Sequence, residues 1–293
     1  MAGPVILLRL QTCLGSGGQK TSAPVTILRC LTLLVALVSF GRAADGPALV
    51  GPNGEKRSEW HGYPRFDFVV ADRPCLVVAP KVPAPGHPWI WRTEFFEHEP
   101  QVDLALLERG WHVAFMDARD MYGAPKAMAL FGQFYARLVG VYDLSPRVVL
   151  EGFSRGALYA FNFAASHPNR VAALYLDAPV LDLRSWPGGN RASKEWPQAL
   201  AAYGVTEETL ASLKGNPIDR IPLVAGGRIP IVVVVGDADT VVPVAENTAI
   251  LEKRYRELGG TITVTHKPGV DHHPHSLVDP TPIVNFLLKN AKF

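Results

Sequence analysis

Val148-Val149-Leu150-Glu151-Gly152-Phe153-Ser154-Arg155-Gly156-Ala157-Leu158-Tyr159-Ala160 decides how the rest of the chain is read. It opens on a short apolar run of strand type and closes on Ala157 to Ser166, an apolar helix stopped by His167-Pro168. Between them stands Gly-x-Ser-x-Gly. Two glycines around a serine, between a strand and a helix, describe a turn tight enough to force the serine into a strained conformation with its hydroxyl exposed. An ordinary helix-capping serine would occupy the same place, but it needs no glycine on both sides. Ser154 is therefore the candidate nucleophile. The Arg155 backbone N–H, at the helix start, is the candidate donor to a developing oxyanion.

Strand and helix signals alternate outward from this point. Phe66 to Val70 and Cys75 to Ala79 flank Ala71-Asp72-Arg73-Pro74 and predict an antiparallel pair. Val102 to Arg109 has helical apolar spacing and stops at Gly110, and Trp111 to Met116 is the next strand. After the elbow come Val171 to Leu176, Ile229 to Val235 and Thr261 to Thr265. Short continuous apolar strands separated by helices imply a mostly parallel, doubly wound α/β sheet covered on both faces. Residues 182–228, between the strands near 171–176 and 229–235, are too long for a simple crossover. They predict a lid-like excursion containing a helical segment at 207–213.

A serine hydroxyl needs a base, and the base needs an orienting acid. In an open α/β sheet both belong beyond the C-terminal ends of later strands. Gly236-Asp237-Ala238-Asp239-Thr240 follows one such strand, and Pro268-Gly269-Val270-Asp271-His272-His273-Pro274-His275 follows the last. Asp237, Asp239 and Asp177 are the candidate acids; His272, His273 and His275 are the candidate bases. The histidine cluster lacks an i, i+4 pair on a helix, so neither a metal nor a cofactor is expected.

With these residues placed, the chain resembles the α/β-hydrolase fold superfamily. The elbow, the Gly-x-x-Asp loop and the His loop before a last amphipathic helix carry the resemblance. Pro88-Trp89-Ile90-Trp91-Arg92, Asp177-Ala178-Pro179-Val180, Ser185-Trp186-Pro187-Gly188-Gly189 and His272-His273-Pro274-His275-Ser276-Leu277 narrow it to secreted bacterial members of unassigned substrate. The likeness covers about Trp60 to Phe293. It implies Ser154 as nucleophile, Asp239 as acid and His272 as base. It places the second oxyanion donor after the Cys75 to Ala79 strand, between Lys81 and Arg92, where the prolines cannot donate. The family pattern prefers glycine where Asp271 stands. Trp89, Trp91, Arg92 and Trp186 are candidate substrate-binding residues, with Arg184, Arg191 and Trp196 on the same rim segments. The Arg155 side chain is expected to partner a buried acid such as Glu151.

Composition sets the outer bounds. The chain has 293 residues, 48% of them hydrophobic and 19% charged, which excludes a disordered chain. Its 29 basic and 27 acidic residues are too evenly matched for a nucleic-acid binder that works by phosphate neutralisation. Lys20 and Arg29, an apolar run from Leu31 to Phe40 and Gly41-Arg42-Ala43 match a secretory signal peptide over 1–43. The run is shorter than the roughly 20 residues of a membrane span. Four bases and no acid lie in that leader, so 25 bases face 27 acids downstream, a net charge of −2. Cys13 and Cys30 also lie there, leaving Cys75, which reads as a buried strand residue. Residues 44–59 read as a mobile lead-in and 60–293 as one hydrolase domain. The expected protein is a secreted or periplasmic serine hydrolase cleaving a small or carbohydrate-linked carboxylic ester, with no stable membrane span after processing. An acyltransferase or peptidase with the same triad is one alternative. A non-catalytic binding protein on the same scaffold is another.

Overall fold

A computed structural model describes residues 55–293, which lie within the second of the chain's two compact units, Asp45–Phe293. The expected leader at 1–43, with Cys13 and Cys30, and the first part of the expected lead-in lie outside the described residues.

The first two strands, β1 (Lys56–Trp60) and β2 (Tyr63–Val70), are antiparallel. Thus the segment expected as a mobile lead-in becomes a strand at Lys56. Four of its five residues are exposed and only Trp60 is buried. Its polar sequence is that of an edge strand, with charge where unpaired backbone faces water. β3 (Arg73–Val78) returns from β2 through Ala71 and Asp72, both at positive φ (48° and 59°), as a tight two-residue hairpin requires.

The parallel part begins with β4 (Trp89–Arg92), followed by α1 (Gln101–Leu107), β5 (His112–Met116), α2 (Pro125–Val141), β6 (Val148–Phe153), α3 (Gly156–Ser166) and β7 (Val171–Asp177). Next come α4 (Glu195–Tyr203) and α5 (Ile221–Gly226), then β8 (Ile231–Gly236), α6 (Thr248–Glu257), β9 (Ile262–Lys267) and α7 (Thr281–Asn290). The nine strands run β1-β2-β3-β5-β4-β6-β7-β8-β9, parallel from β5 through β9. Every residue of β6, β7 and β8 is buried, which is why these strands are continuous apolar runs.

Helices α2 to α6 pack on one face of the sheet and α1 and α7 on the other. α2 was not read from the sequence. It starts with proline at its first turn, where no N–H is needed, and buries Ala127, Phe131, Phe134, Tyr135 and Leu138 on one side. β4 was not read either, and it overturns one set of expectations. Trp89, Trp91 and Arg92 are buried strand residues, not pocket-lining groups. Trp91 lies 4.4 Å from Phe131, 4.9 Å from Phe134 and 5.2 Å from Phe163, ring centre to ring centre. Trp89 donates its indole N–H to the Ser145 carbonyl at 2.8 Å.

The 182–228 excursion contains α4 and α5, while residues 210–212 make only a single 3₁₀ turn in place of the helix expected at 207–213. Trp196, expected on the rim, is buried against the core and donates to Glu207 at 2.6 Å. Among the described residues no helix is long and apolar enough to cross a membrane.

Candidate active site

Parallel strands end level with one another, and that is what assembles the site. Phe153, the last residue of β6, is paired with Asp177, which is paired with Val234, while Gly236 of β8 is paired with Lys267 of β9. The loops after β4, β6, β7, β8 and β9 therefore all emerge at the same edge.

At the end of β6 Ser154 takes φ 48°, a left-handed conformation costly for a residue with a side chain. The flanking glycines permit it. A Cβ on Gly152 would lie 2.8 Å from the Ala157 Cα, and one on Gly156 would lie 3.3 Å from both Thr93 Oγ1 and Glu94 Cβ. Strand and helix thus meet at a distance only glycine allows, the loop after β4 packs closely against the helix start, and Ser154 is left half-buried.

The acid and base that the resemblance implies are brought to this serine. His272 Nε2 lies 3.0 Å from Ser154 Oγ, and His272 Nδ1 lies 2.8 Å from Asp239 Oδ2. Asp239 Oδ1 also accepts the backbone N–H groups of Val241 and Val242 at 2.9 and 2.7 Å, so the carboxylate is fixed. Both His272 and Asp239 are buried. The network assigns the tautomer: Nδ1–H donates to Asp239, and Nε2 is free to accept the serine proton. Asp271, at the position where the family pattern prefers glycine, has its own function in the loop. Its Oδ1 accepts the Thr240 N–H and the His272 N–H, each at 2.8 Å, tying the acid loop to the base loop. Those backbone donors also hold its carboxyl below the ordinary range.

The rival residues go elsewhere. Asp237 pairs with His266 at the surface, 2.7 Å apart. Asp177 pairs with His275 at 2.8 Å, fully buried, and also accepts the Ser276 N–H at 2.7 Å. Arg155 does not reach Glu151. Its guanidinium joins Glu94 at 2.7 Å and Asp120 at 3.2 Å, while Glu151 is held by Arg92. Burial pushes the Glu94 carboxyl up to about 7 against the pull of Arg155. Trp186 is half-buried with its ring 6.2 Å from that of Tyr122, and the Arg155 guanidinium lies 5.7 Å from the same Tyr122 ring. Arg184 and Arg191 are exposed and paired with Asp182 and Glu207.

The oxyanion side also shifts. Because β4 intervenes, the loop that lies against the elbow is not the 81–92 segment but the one beginning at Thr93. Thr93 Oγ1 donates to the Glu151 and Gly156 carbonyls (2.9 and 2.8 Å), and the Arg92 guanidinium donates to the Phe95 and His98 carbonyls (3.1 and 2.6 Å). Among the described residues the Arg155, Glu94 and Phe95 backbone N–H groups have no hydrogen-bond partner. A cavity of about 320 Å³ lies alongside, lined by Glu94, Phe95, Phe115, Arg119 and Arg155. A cavity of about 620 Å³ around Arg147, Pro230 and Thr261 and one of about 680 Å³ around Pro222, Leu258 and Thr261 open at the opposite strand ends. Size alone does not locate the chemistry here.

No protein-family model and no curated protein sequence matches the chain. Solved structures do. An S-formylglutathione hydrolase from Agrobacterium tumefaciens superposes with a TM-score of 0.58 at 15% identity, over 79% of this chain and 94% of that one. This chain has the α/β-hydrolase fold. Dipeptidyl peptidase 4 from Porphyromonas gingivalis (TM-score 0.60, 14% identity) and an acylaminoacyl peptidase from Pyrococcus horikoshii (0.59, 11%) share the fold over 82% and 81% of the chain. They are much longer proteins, of which this α/β-hydrolase domain spans 36% and 42%.

Proposed function

We propose that this α/β-hydrolase-fold protein is a serine hydrolase that cleaves carboxylic esters through an acyl-enzyme. The observation that carries the reading is the continuous path Ser154 Oγ, His272 Nε2, His272 Nδ1, Asp239 Oδ2, with links of 3.0 and 2.8 Å. A hydroxyl facing an imidazole whose far nitrogen is anchored to a buried carboxylate is arranged to lose its proton on attack.

Ser154 Oγ adds to the ester carbonyl as its proton passes to His272 Nε2, and Asp239 stabilises the imidazolium. The oxyanion takes hydrogen bonds from the Arg155 N–H and from a second N–H in the Glu94–Phe95 segment. His272 then returns the proton to the departing alkoxide. Water, deprotonated by His272, adds to the acyl carbon, and Ser154 leaves to release the acid. No step calls for a metal or a cofactor.

The fold shared with an S-formylglutathione hydrolase supports the ester reading, and the fold shared with two peptidases keeps a peptide bond as the second reading. The leader motif and the even charge balance support export and a small or carbohydrate-linked substrate rather than nucleic acid. Trp186, beside Tyr122, is the remaining candidate for contact with that substrate. The purified protein is expected to hydrolyse a short p-nitrophenyl ester and to be labelled by a fluorophosphonate. Ser154→Ala should lower turnover at least 10³-fold, order of magnitude, without changing the melting temperature by more than a degree or two. Full activity in that variant would discard the mechanism. Turnover of peptide p-nitroanilides in preference to esters would move the assignment to a peptidase.

A further inference from the structure

One group of side chains next to the triad has no part in the mechanism above. His98, from the loop after β4, meets His273 and His275, from the loop after β9. One ring nitrogen of each lies within 4.8 Å of the other two. The rings of His273 and His275 are 4.7 Å apart centre to centre, and that of His98 is 6.0 and 5.8 Å from them. His98 and His273 are exposed, whereas His275 is buried.

Surface histidines can gather by accident, but the third member here is set up in a specific way. His275 Nδ1 lies 2.8 Å from Asp177 Oδ1, and Asp177 is itself fully buried and anchored by the Ser276 N–H at 2.7 Å. A histidine whose one nitrogen donates to a buried carboxylate presents the other as a fixed, basic lone pair. This carboxylate–histidine arrangement is the usual support behind a metal-bound imidazole. A second carboxylate stands behind His98: Glu99 Oε1 lies 3.9 Å from His98 Nε2, and Glu99 Oε2 is buried without a hydrogen-bond partner. Both loops are pinned independently of any ion, the first by Arg92 on the His98 carbonyl and the second by Asp177.

We propose that His98, His273 and His275 form a binding site for a divalent cation of the zinc class, beside the triad but separate from it. Three imidazole nitrogens with neither thiolates nor a cage of oxygens suit zinc, cobalt or nickel and disfavour magnesium and calcium. Nitrogens around a tetrahedral zinc sit about 3.3 Å apart for bonds of 2.0–2.1 Å, so modest rotation of the two exposed rings closes the set. His272 belongs to the triad and is not part of this set: both of its nitrogens are engaged, by Ser154 and Asp239.

The test needs no turnover, so its outcome is independent of the ester-hydrolase reading. The full chain, made without a polyhistidine tag and stripped of metal, is titrated with Co²⁺ while the visible absorption of tetrahedral cobalt is followed; Zn²⁺ is then added in competition. One equivalent should bind and be displaced by zinc. His98→Gln and His273→Gln, both changes at exposed positions, should each weaken binding at least 100-fold. Asp177→Asn should weaken it 10–100-fold, and Ser154→Ala should leave it unchanged. Cobalt uptake unaltered by His98→Gln and His273→Gln would overturn the proposal. So would uptake lost in His272→Gln but retained in His98→Gln, which would assign the ion to the triad histidine. No uptake by the wild-type chain at millimolar cobalt would overturn it as well.

Discussion

Arg92 shows how one buried charge can hold a site together without touching it. Its guanidinium is ion-paired with Asp103 at 2.8 Å, hydrogen-bonds Glu151 at 2.9 Å, and also donates to the carbonyls of Phe95 and His98. Only a planar, five-donor fork can do all of this at once. The loop that carries Glu94, Phe95 and His98 is thereby fastened to β4 and β6. Arg92→Met would leave two carboxylates buried without a counter-ion. Breaking a buried pair in this way costs about 3–5 kcal/mol, which urea denaturation of the two proteins should reveal as a lower midpoint at equal slope. A midpoint within error of wild type would show that the network is not what secures the loop. Neither partner could be paired with Arg92 from sequence, since Asp103 and Glu151 lie in separate elements and no spacing links them to it.

At the scale of elements, β4 and β5 explain both what was legible and what was not. β5 is legible as a short apolar run, but His112 within it gives no sign of its environment. It is buried, its Nδ1 has no hydrogen-bond partner, and burial lowers the imidazole from its ordinary 6.5 to about 4. A histidine kept neutral in the fold but free to protonate when unfolded makes the unfolded state bind more protons between those two values. Stability is therefore intact above about 6.5 and declines as the pH falls toward 4. His112→Leu should flatten that part of the melting temperature against pH profile. A slope unchanged by the substitution would mean that other groups govern the acid limb. β4 escaped notice because it is four residues long, follows a run of prolines, and carries two tryptophans and an arginine, a composition equally suited to a binding rim. Missing it left the expected donor at 81–92, whereas the segment that packs against the elbow begins at Thr93. The elbow was easier to find, since steric exclusion around Gly152 and Gly156 leaves a local signature.

The whole molecule brings five loops to one edge because its central strands are parallel and in register. Its stability comes from two apolar layers on either face of the sheet, and Cys75 reports on one of them. It is the one cysteine among the described residues, 3% exposed in β3, and burial pushes its thiol up to about 12. With Cys13 and Cys30 changed to serine, the native protein should not react with Ellman's reagent at pH 8. Labelling should appear only as urea unfolds the chain, in step with the loss of circular dichroism. Rapid labelling of the native state would show that the hairpin edge opens locally.

The family resemblance implied Asp239 and His272 over their rivals; the amino-acid sequence alone determined the alternation of buried strands and helices, the elbow at Ser154, and the two loops that carry the candidate acids and bases. Each of these is written in neighbouring residues, as periodicity, as a glycine spacing, or as a fixed place after a strand. Tertiary structure alone decided the burial of Trp89, Trp91 and Arg92, the pairing of Arg155 with Glu94, the bridging by Asp271, and the meeting of His98 with His273 and His275. Those depend on which loops a nine-stranded sheet brings within a few ångströms of each other, and contacts between residues tens to more than a hundred positions apart leave no pattern in the linear order.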